Sequence, residues 1–217
     1  ETTKVQGSKT WDDNDNQDGM RPETIIIRLL ADGKEITHKE VSAPWTWSFE
    51  GLPKYRDHGV EIKYTIKEDE VKKYTTEIKG FDVINTHKTE KTKIEGKKTW
   101  EDADDQDGKR PQSITIRLFA NGKDTGKSVV VTPDEDGNWA WEFEDLDKYA
   151  AGKEITYTVF EDKVNDYDTT YDNAHLNVTN THKTEKTKIE GKKTWEDADN
   201  QDGKRPQSIT IRLFANG

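Results

Sequence analysis

Alternation of apolar and polar residues runs along most of the chain. From Val5 to Trp11 one side of an extended backbone carries Val5, Gly7, Lys9 and Trp11, and the other carries Gln6, Ser8 and Thr10. The same stretch returns as Ile94-Glu95-Gly96-Lys97-Lys98-Thr99-Trp100 and again as Ile189-Glu190-Gly191-Lys192-Lys193-Thr194-Trp195. Each copy predicts a β-strand that opens a repeat. Ile25, Ile27 and Leu29 alternate in the next strand, matched by Ile114, Ile116 and Leu118, and Asp32-Gly33 and Asn121-Gly122 predict tight hairpin turns after them. An aromatic at every second residue follows: Trp45, Trp47 and Phe49 in one repeat, Trp139, Trp141 and Phe143 in the other. These are expected to face a core. Two further alternating strands are predicted around Ile62, Tyr64 and Ile66 and around Phe81 and Val83, with counterparts at Ile155, Tyr157 and Val159 and at Leu176 and Val178. Helical periodicity is nowhere sustained, so the expected fold class is all-β, as tandem antiparallel β-sandwiches.

The recurrence sets the domain layout. Lys9 and Lys98 lie 98 − 9 = 89 residues apart, while Lys98 to Lys193 and Asn85 to Asn180 each span 95 (193 − 98 and 180 − 85). Residues 1–89 and 90–184 are thus read as two complete sandwich repeats, and 185–217 as the truncated start of a third with two predicted strands. Two strands cannot bury a core, so this third piece is expected to pack on a neighbouring unit or chain. The connection Asn-Thr-His-Lys-Thr-Glu-Lys-Thr between repeats holds neither Gly nor Pro, which predicts a short, extended, stiff joint.

Composition alone would suggest something else. Of the 217 residues 36% are charged and only 29% hydrophobic, proportions that lean toward disorder. Seven Trp, seven Tyr and six Phe at fixed places in a repeat argue for a folded chain instead. A net charge of −10 disfavours nucleic acid and anionic membrane as partners, since no basic stripe is present to release counterions. No apolar run approaches the roughly 20 residues that span a bilayer, so no membrane insertion is expected. Glu1 opens no recognisable secretory signal, and the chain reads as a piece of something larger. The absence of cysteine excludes a disulfide framework and cysteine-based metal or nucleophile sites.

Three polar residues break the apolar faces, and they do so in both repeats. Lys9 and Lys98 share a face with the opening strand's apolar residues. Glu68 continues the Ile62-Tyr64-Ile66 side, as Glu161 continues Ile155-Tyr157-Val159. Asn85 and Asn180 follow Val83 and Val178. Singly, each has a plain explanation: a frayed strand end for the Glu, a loop cap for the Asn, a head group that snorkels to the sheet edge for the Lys. Their joint recurrence at matched parity weakens those explanations. An isolated buried charge costs several kcal/mol, and burial in general lowers a lysine's pKa and raises a glutamate's. A neutral amine beside a protonated acid is a nucleophile with a proton shuttle, and the Asn carboxamide is an electrophile that lacks only activation. The expected product is an intramolecular Lys-Asn isopeptide bond, Lys9 to Asn85 and Lys98 to Asn180, with Glu68 and Glu161 assisting and one ammonia released per bond. No turnover, no metal and no cofactor is expected.

The motifs Val-Gln-Gly-Ser-Lys-Thr-Trp with Asp-Asn-Gln-Asp-Gly-Met-Arg-Pro, then Tyr-Thr-Ile-Lys-Glu-Asp, then Val-Ile-Asn-Thr-His resemble the B-type repeat of the collagen-adhesin family of Gram-positive surface proteins, the Cna B-type domains. The resemblance covers essentially the whole chain. It implies an inverse immunoglobulin-like sandwich, a Lys of the first strand joined to an Asn of the last, and an acidic helper, at the six residues just named. It implies further a cell-wall-anchored, extracellular stalk whose anchor and export signal lie outside this sequence. Its partners would be neighbouring repeats, with host matrix met only through other regions of the parent adhesin. In the third copy Lys193 has the opening motif but the sequence supplies neither the counterpart of Glu68 nor that of Asn85, so no such bond is expected there.

Two other functions compete. The acidic run Asp13-Asn14-Asp15-Asn16-Gln17-Asp18-Gly19 loosely resembles a calcium-binding EF-hand loop, although the register fails: from Asp13 the glycine comes one place late, and from Asn14 the closing position is Ile25. The plainer reading is a solvated turn. The alternative is that the aromatic strands form a ligand-binding face, which exposure of Trp47 or Trp141 would favour and burial would exclude. An enzyme with turnover is the weakest reading, because none of the five His joins a nucleophile, and His58, His87 and His182 fall in loops or at strand ends.

Overall fold

In the computed structural model, which describes residues 1–216, the alternating stretches form strands where their apolar residues can meet across two facing sheets. The first module has β1 (Thr2–Asp12), β2 (Ile25–Ala31), β3 (Lys34–Val41), β4 (Thr46–Pro53), β5 (Tyr64–Glu68), β6 (Thr75–Lys79) and β7 (Asp82–Thr86). One sheet has the order β4-β1-β7-β6 and the other β3-β2-β5. The first and last strands are parallel neighbours, with Lys9 opposite Val83 and Trp11 opposite Asn85. The second module repeats this with β8 (Lys91–Glu101), β9 (Ile114–Ala120), β10 (Lys123–Val131), β11 (Trp139–Asp147), β12 (Tyr157–Glu161), β13 (Asp168–Tyr171) and β14 (Val178–Thr181). Its sheets are β11-β8-β14-β13 and β10-β9-β12. The chain is therefore all-β, two tandem sandwiches built alike.

Each core is drawn mainly from the alternating sets, with Val41 and Leu52, and Val131 and Leu146, added to them and Trp45, Tyr64, Phe81, Tyr157 and Leu176 only partly buried against them. Val5, Ile25, Ile27, Leu29, Trp47, Phe49, Ile66 and Val83 fill the first, and Ile114, Ile116, Leu118, Trp139, Trp141, Phe143, Val159 and Val178 fill the second. Trp47 and Trp141 are each only 5% exposed, which removes the aromatic binding face. The hairpins at Asp32-Gly33 and Asn121-Gly122 take the two successive positive φ angles that a tight turn between twisted strands needs.

Residues Glu1–Lys183 form one compact unit and Thr184–Gly217 another. Within the first, the joint between modules is indeed short: only the residues between Thr86 and Lys91 separate β7 from β8. It is also clasped. The Glu90 N–H donates to Asp18 Oδ2 (2.6 Å), the Glu90 carbonyl accepts from Lys148 N–H (3.0 Å), and Gly152 N–H donates to the Gln17 carbonyl (3.0 Å).

The third piece departs from expectation. Among its described residues no strand is present where two were expected, and Ile189, Ile211, Leu213 and Phe214 are all more than 70% exposed. The physical reason lies in the length: two strands have no second sheet to cover their apolar side, and hydrogen bonding alone does not hold them. Lys193, inward by sequence parity, is exposed and donates only to the neighbouring Thr194 carbonyl. Among the described residues no helix is long and apolar enough to cross a membrane.

Candidate functional site

The six residues singled out by parity are all withdrawn from solvent, and four of them meet directly across the two sheets. Lys9 on β1 and Glu68 on β5 belong to opposite sheets, and their side chains, fully excluded from water, join at 2.5 Å between Nζ and Oε1. Lys98 on β8 and Glu161 on β12 do the same at 2.6 Å, also with no side-chain exposure. Burial holds both lysines below the usual lysine range, an effect that the hydrogen bond and charge of the partner glutamate only partly offset.

Strand register sets the amide two residues along from the lysine on the neighbouring strand. Asn85 on β7 lies between Trp11 of β1, two residues beyond Lys9, and Thr76 of β6. The Thr76 hydroxyl in turn donates to Glu68 Oε2 at 2.8 Å, so the carboxylate has Lys9 on one oxygen and the threonine beside Asn85 on the other. In the second module Asn180 lies between Trp100 and Thr169, and Thr169 donates to Glu161 Oε2 at 3.1 Å. Asn85 and Asn180 are completely buried, yet neither the oxygen nor the nitrogen of either carboxamide has a hydrogen-bond partner. An unsatisfied buried polar group costs about 1–3 kcal/mol, so a fold that keeps four of them at equivalent places has a reason to do so.

The tryptophan after each lysine is a wall of the site. Lys9 Nζ sits 4.6 Å from the Trp11 ring centroid and Lys98 Nζ 4.6 Å from that of Trp100. The face of each ring stabilises whatever positive charge the amine carries. Edge-on contacts at 5.2 Å from Trp45 and 5.1 Å from Tyr74 hold Trp11 in place.

The acidic loop is where sequence reading fell short. Its tip is solvated, but the turn is anchored by carboxylates that point inward. Asp13 is buried, takes two hydrogen bonds from the Arg21 guanidinium at 2.6 and 3.0 Å, and accepts the Tyr74 hydroxyl at 2.8 Å. Asp102, Arg110 and Tyr167 repeat the arrangement. Asn14, Asp15 and Asn16 all have positive φ, as do Ala103, Asp104 and Asp105, and this left-handed turn suits the Asn and Asp that dominate it. Asp18, the second buried carboxylate, pairs with His87 Nε2 at 2.9 Å, and Asp107 pairs with His182 at 3.0 Å. The carboxylates a calcium ion would need are thus already neutralised by Arg21 and His87. Thr76, Thr169, the Asp-Arg-Tyr brace and the His-Asp pair went unnoticed because each looks ordinary in one copy. Their recurrence in both copies was the available signal.

The family model of the Cna protein B-type domain matches residues 5–86, 94–181 and 189–217. Over 223 aligned positions the chain is 45% identical to a collagen adhesin of Staphylococcus aureus, with all of this chain covered and 19% of that protein. Thus the chain spans about a fifth of that relative's length. The crystal structure of two B repeat units of the collagen binding protein of Staphylococcus aureus is 43% identical, covering 95% of this chain and 56% of its own, with a TM-score of 0.48. A single B repeat unit of the same protein is 42% identical over 85% of this chain and 100% of its own, with a TM-score of 0.40. The chain, with its two sandwiches and the opening of a third copy, belongs to the Cna protein B-type domain family.

Proposed function

We propose that each complete module joins its own first and last strands covalently, Lys9 to Asn85 and Lys98 to Asn180, and that the modules serve as a force-bearing stalk. One observation carries the reading: a water-excluded Lys-Glu pair and, two residues along in the strand register, a buried carboxamide whose two polar atoms have no partner, occur twice at equivalent places. Proton transfer from Lys9 Nζ to Glu68 Oε1 frees the amine lone pair. The amine attacks Asn85 Cγ, the carbonyl electrons move onto Oδ1, and the protonated Glu68 stabilises that oxygen. Collapse of the tetrahedral centre breaks the Cγ–Nδ2 bond. Glu68 relays the proton lost by the lysine nitrogen to the departing Nδ2, which leaves as ammonia. Packing of the fold supplies the approach of the reactants that a solution reaction lacks. The chemistry happens once per module, so this is self-modification and not turnover.

Joining the terminal strands changes where tension runs. Force entering at β1 passes through the bridge to β7 without loading the strands between. Similarity to a staphylococcal collagen adhesin supports placing the repeats at a cell surface, as a stalk that presents a separate ligand-binding region and reaches host matrix only through it. Pulling single chains from their ends tests this. The bridge encloses 85 − 9 = 76 residues in the first module and 180 − 98 = 82 in the second. Unbridged modules would therefore lengthen in steps of about 260–280 Å at roughly 3.4 Å per residue. Such steps are expected in a variant carrying both Asn85→Ala and Asn180→Ala. Their presence in the wild-type chain would overturn the reading.

A further inference from the structure

Apart from the residues already given a part in the reaction, each module holds a hydrogen-bond donor with nothing to donate to. The indole nitrogens of Trp11, Trp47, Trp100 and Trp141 are all buried without a hydrogen-bond partner. Trp47 and Trp141 stand opposite Gly7 and Gly96, so the opening strand separates them from the last one. Trp11 and Trp100 are placed differently. On the parallel strands β1 and β7 Trp11 is the register partner of Asn85, and on β8 and β14 Trp100 is the partner of Asn180. Register partners project from the same face of a sheet, and neighbouring strands run only about 4.8 Å apart, within the span of an indole. Each module thus has an unpaired N–H and an unpaired carboxamide oxygen at one register position of adjoining strands.

The ring that carries the donor is held from several sides. Trp45 and Tyr74 meet Trp11 edge-on at 5.2 and 5.1 Å, and the Arg21 guanidinium lies 5.5 Å from its centroid. Trp139, Tyr167 and Arg110 hold Trp100 at 5.4, 5.0 and 5.5 Å. Tyr74 and Arg21 are both fastened to Asp13, as Tyr167 and Arg110 are to Asp102, so the acidic turn fixes the ring. The same ring has the lysine amine 4.6 Å from its centroid in both modules. One side chain therefore borders the nucleophile and shares the register position of the electrophile. A donor that is rigidly held yet unpaired before reaction fits transition-state complementarity: it gives little to the planar carboxamide and is available to the charged oxygen that forms from it.

We propose that the Trp11 and Trp100 indole N–H groups are oxyanion donors in bridge formation, each bonding Oδ1 of its register partner as charge develops there. The assignment rests on the Lys-Asn bridge proposed above and adds a second donor to the protonated glutamate. Attack by Lys9 Nζ on Asn85 Cγ forms the new C–N bond and moves the carbonyl π electrons onto Oδ1. Trp11 Nε1–H donates to that oxygen and keeps its proton throughout. When the carbonyl re-forms, the Cγ–Nδ2 bond breaks, ammonia leaves by the glutamate relay, and the indole N–H stays on the isopeptide oxygen.

The test replaces Trp11 in the full chain with benzothienylalanine, in which sulfur takes the place of the N–H and the ring keeps its shape. Chains recovered unfolded are refolded, and ammonia loss at Lys9 and Asn85 is followed by peptide mass against time, with Lys98 and Asn180 of the same chain as the reference. The first bond should form about a hundredfold more slowly, and the second at its wild-type rate. In the bridged wild-type chain, labelled with 13C and 15N, a scalar coupling across the hydrogen bond should link Trp11 Nε1 to the Asn85 side-chain carbonyl carbon. That readout needs no substitution and does not respond to packing alone. An unchanged rate at Lys9 and Asn85, a delay shared equally by the second bond, or a bridged chain without the coupling would overturn the assignment and leave the bridge itself standing. A wild-type chain that loses no ammonia would overturn both.

Discussion

Gly7 decides how closely the last strand can approach the first. A Cβ there would sit 1.8 Å from the Phe81 carbonyl oxygen and 2.9 Å from the Trp47 ring, and Gly96 is equally confined by Leu176 and Trp141. Gly7→Ala should therefore lower stability by at least about 4 kcal/mol, read as a loss of urea midpoint. Gly191→Ala, at the matching place in the third copy where nothing lies within 4 Å, should change it negligibly. Thr76 acts at a finer level by holding Glu68 in line. Thr76→Val should slow bridge formation in the first module about tenfold for roughly 1.4 kcal/mol of lost positioning, followed by mass against time after refolding. His87 sets a pH response. Both ring nitrogens face acceptors, the Lys73 carbonyl at 2.8 Å and Asp18 at 2.9 Å, so both must donate. Burial pulls its pKa down, but Asp18 and the Lys73 carbonyl outweigh that and raise it above the ordinary histidine value. A raised pKa means a contribution fully present below about pH 6.5 and lost as pH climbs through the folded value. The difference in melting temperature between wild type and His87→Gln should accordingly shrink from pH 6 toward alkaline pH; a gap that widens would contradict the assignment.

Elements differ in how much of themselves they need. The left-handed acidic turn forms even in the third copy, where Arg205 bonds Asp197 at 2.5 and 2.9 Å and Lys193 lies 4.5 Å from the Trp195 ring. The strands around it do not form. A turn closed by its own Asp and Arg is local, whereas a strand needs neighbours from distant sequence. Asp102, held down to about 2 by Arg110 first and then by Tyr167 and the Asp105 N–H, shows how firmly the turn is braced. Asp102→Asn should cost about 3–5 kcal/mol in the second module by leaving Arg110 without its countercharge, measured as the lower of two melting transitions. The same contrast explains what the sequence disclosed. Period-two alternation declared five strands of each sandwich, because a half-buried strand writes its two faces directly into the residue order, but not the edge strands β3 and β6, whose residues are exposed on both faces save Val41. Lys9, Glu68 and Asn85 were legible as violations of that order. Thr76 was not, since a threonine on a strand breaks no rule, and neither was Asp13, since in an acidic run no single carboxylate announces that it turns inward.

For the molecule as a whole, the proposed bridges and the joint answer different demands. By loop-closure entropy the proposed link between residues 76 apart, from Lys9 to Asn85, would contribute about 4.5 kcal/mol, a large share of the 5–15 kcal/mol typical of a domain. The clasp of Gln17, Asp18, Glu90 and Gly152 adds little of that kind but fixes how one sandwich follows the next. A stalk needs both: modules that do not lengthen and joints that do not fold back. The central claim is covalent, and the most direct measurement is the intact mass of the purified chain followed by peptide mapping. The account predicts a mass lower than the sequence mass by two ammonia molecules, with branched peptides joining Lys9 to Asn85 and Lys98 to Asn180. A mass equal to that of the sequence, with those four residues recovered in linear peptides, would contradict it.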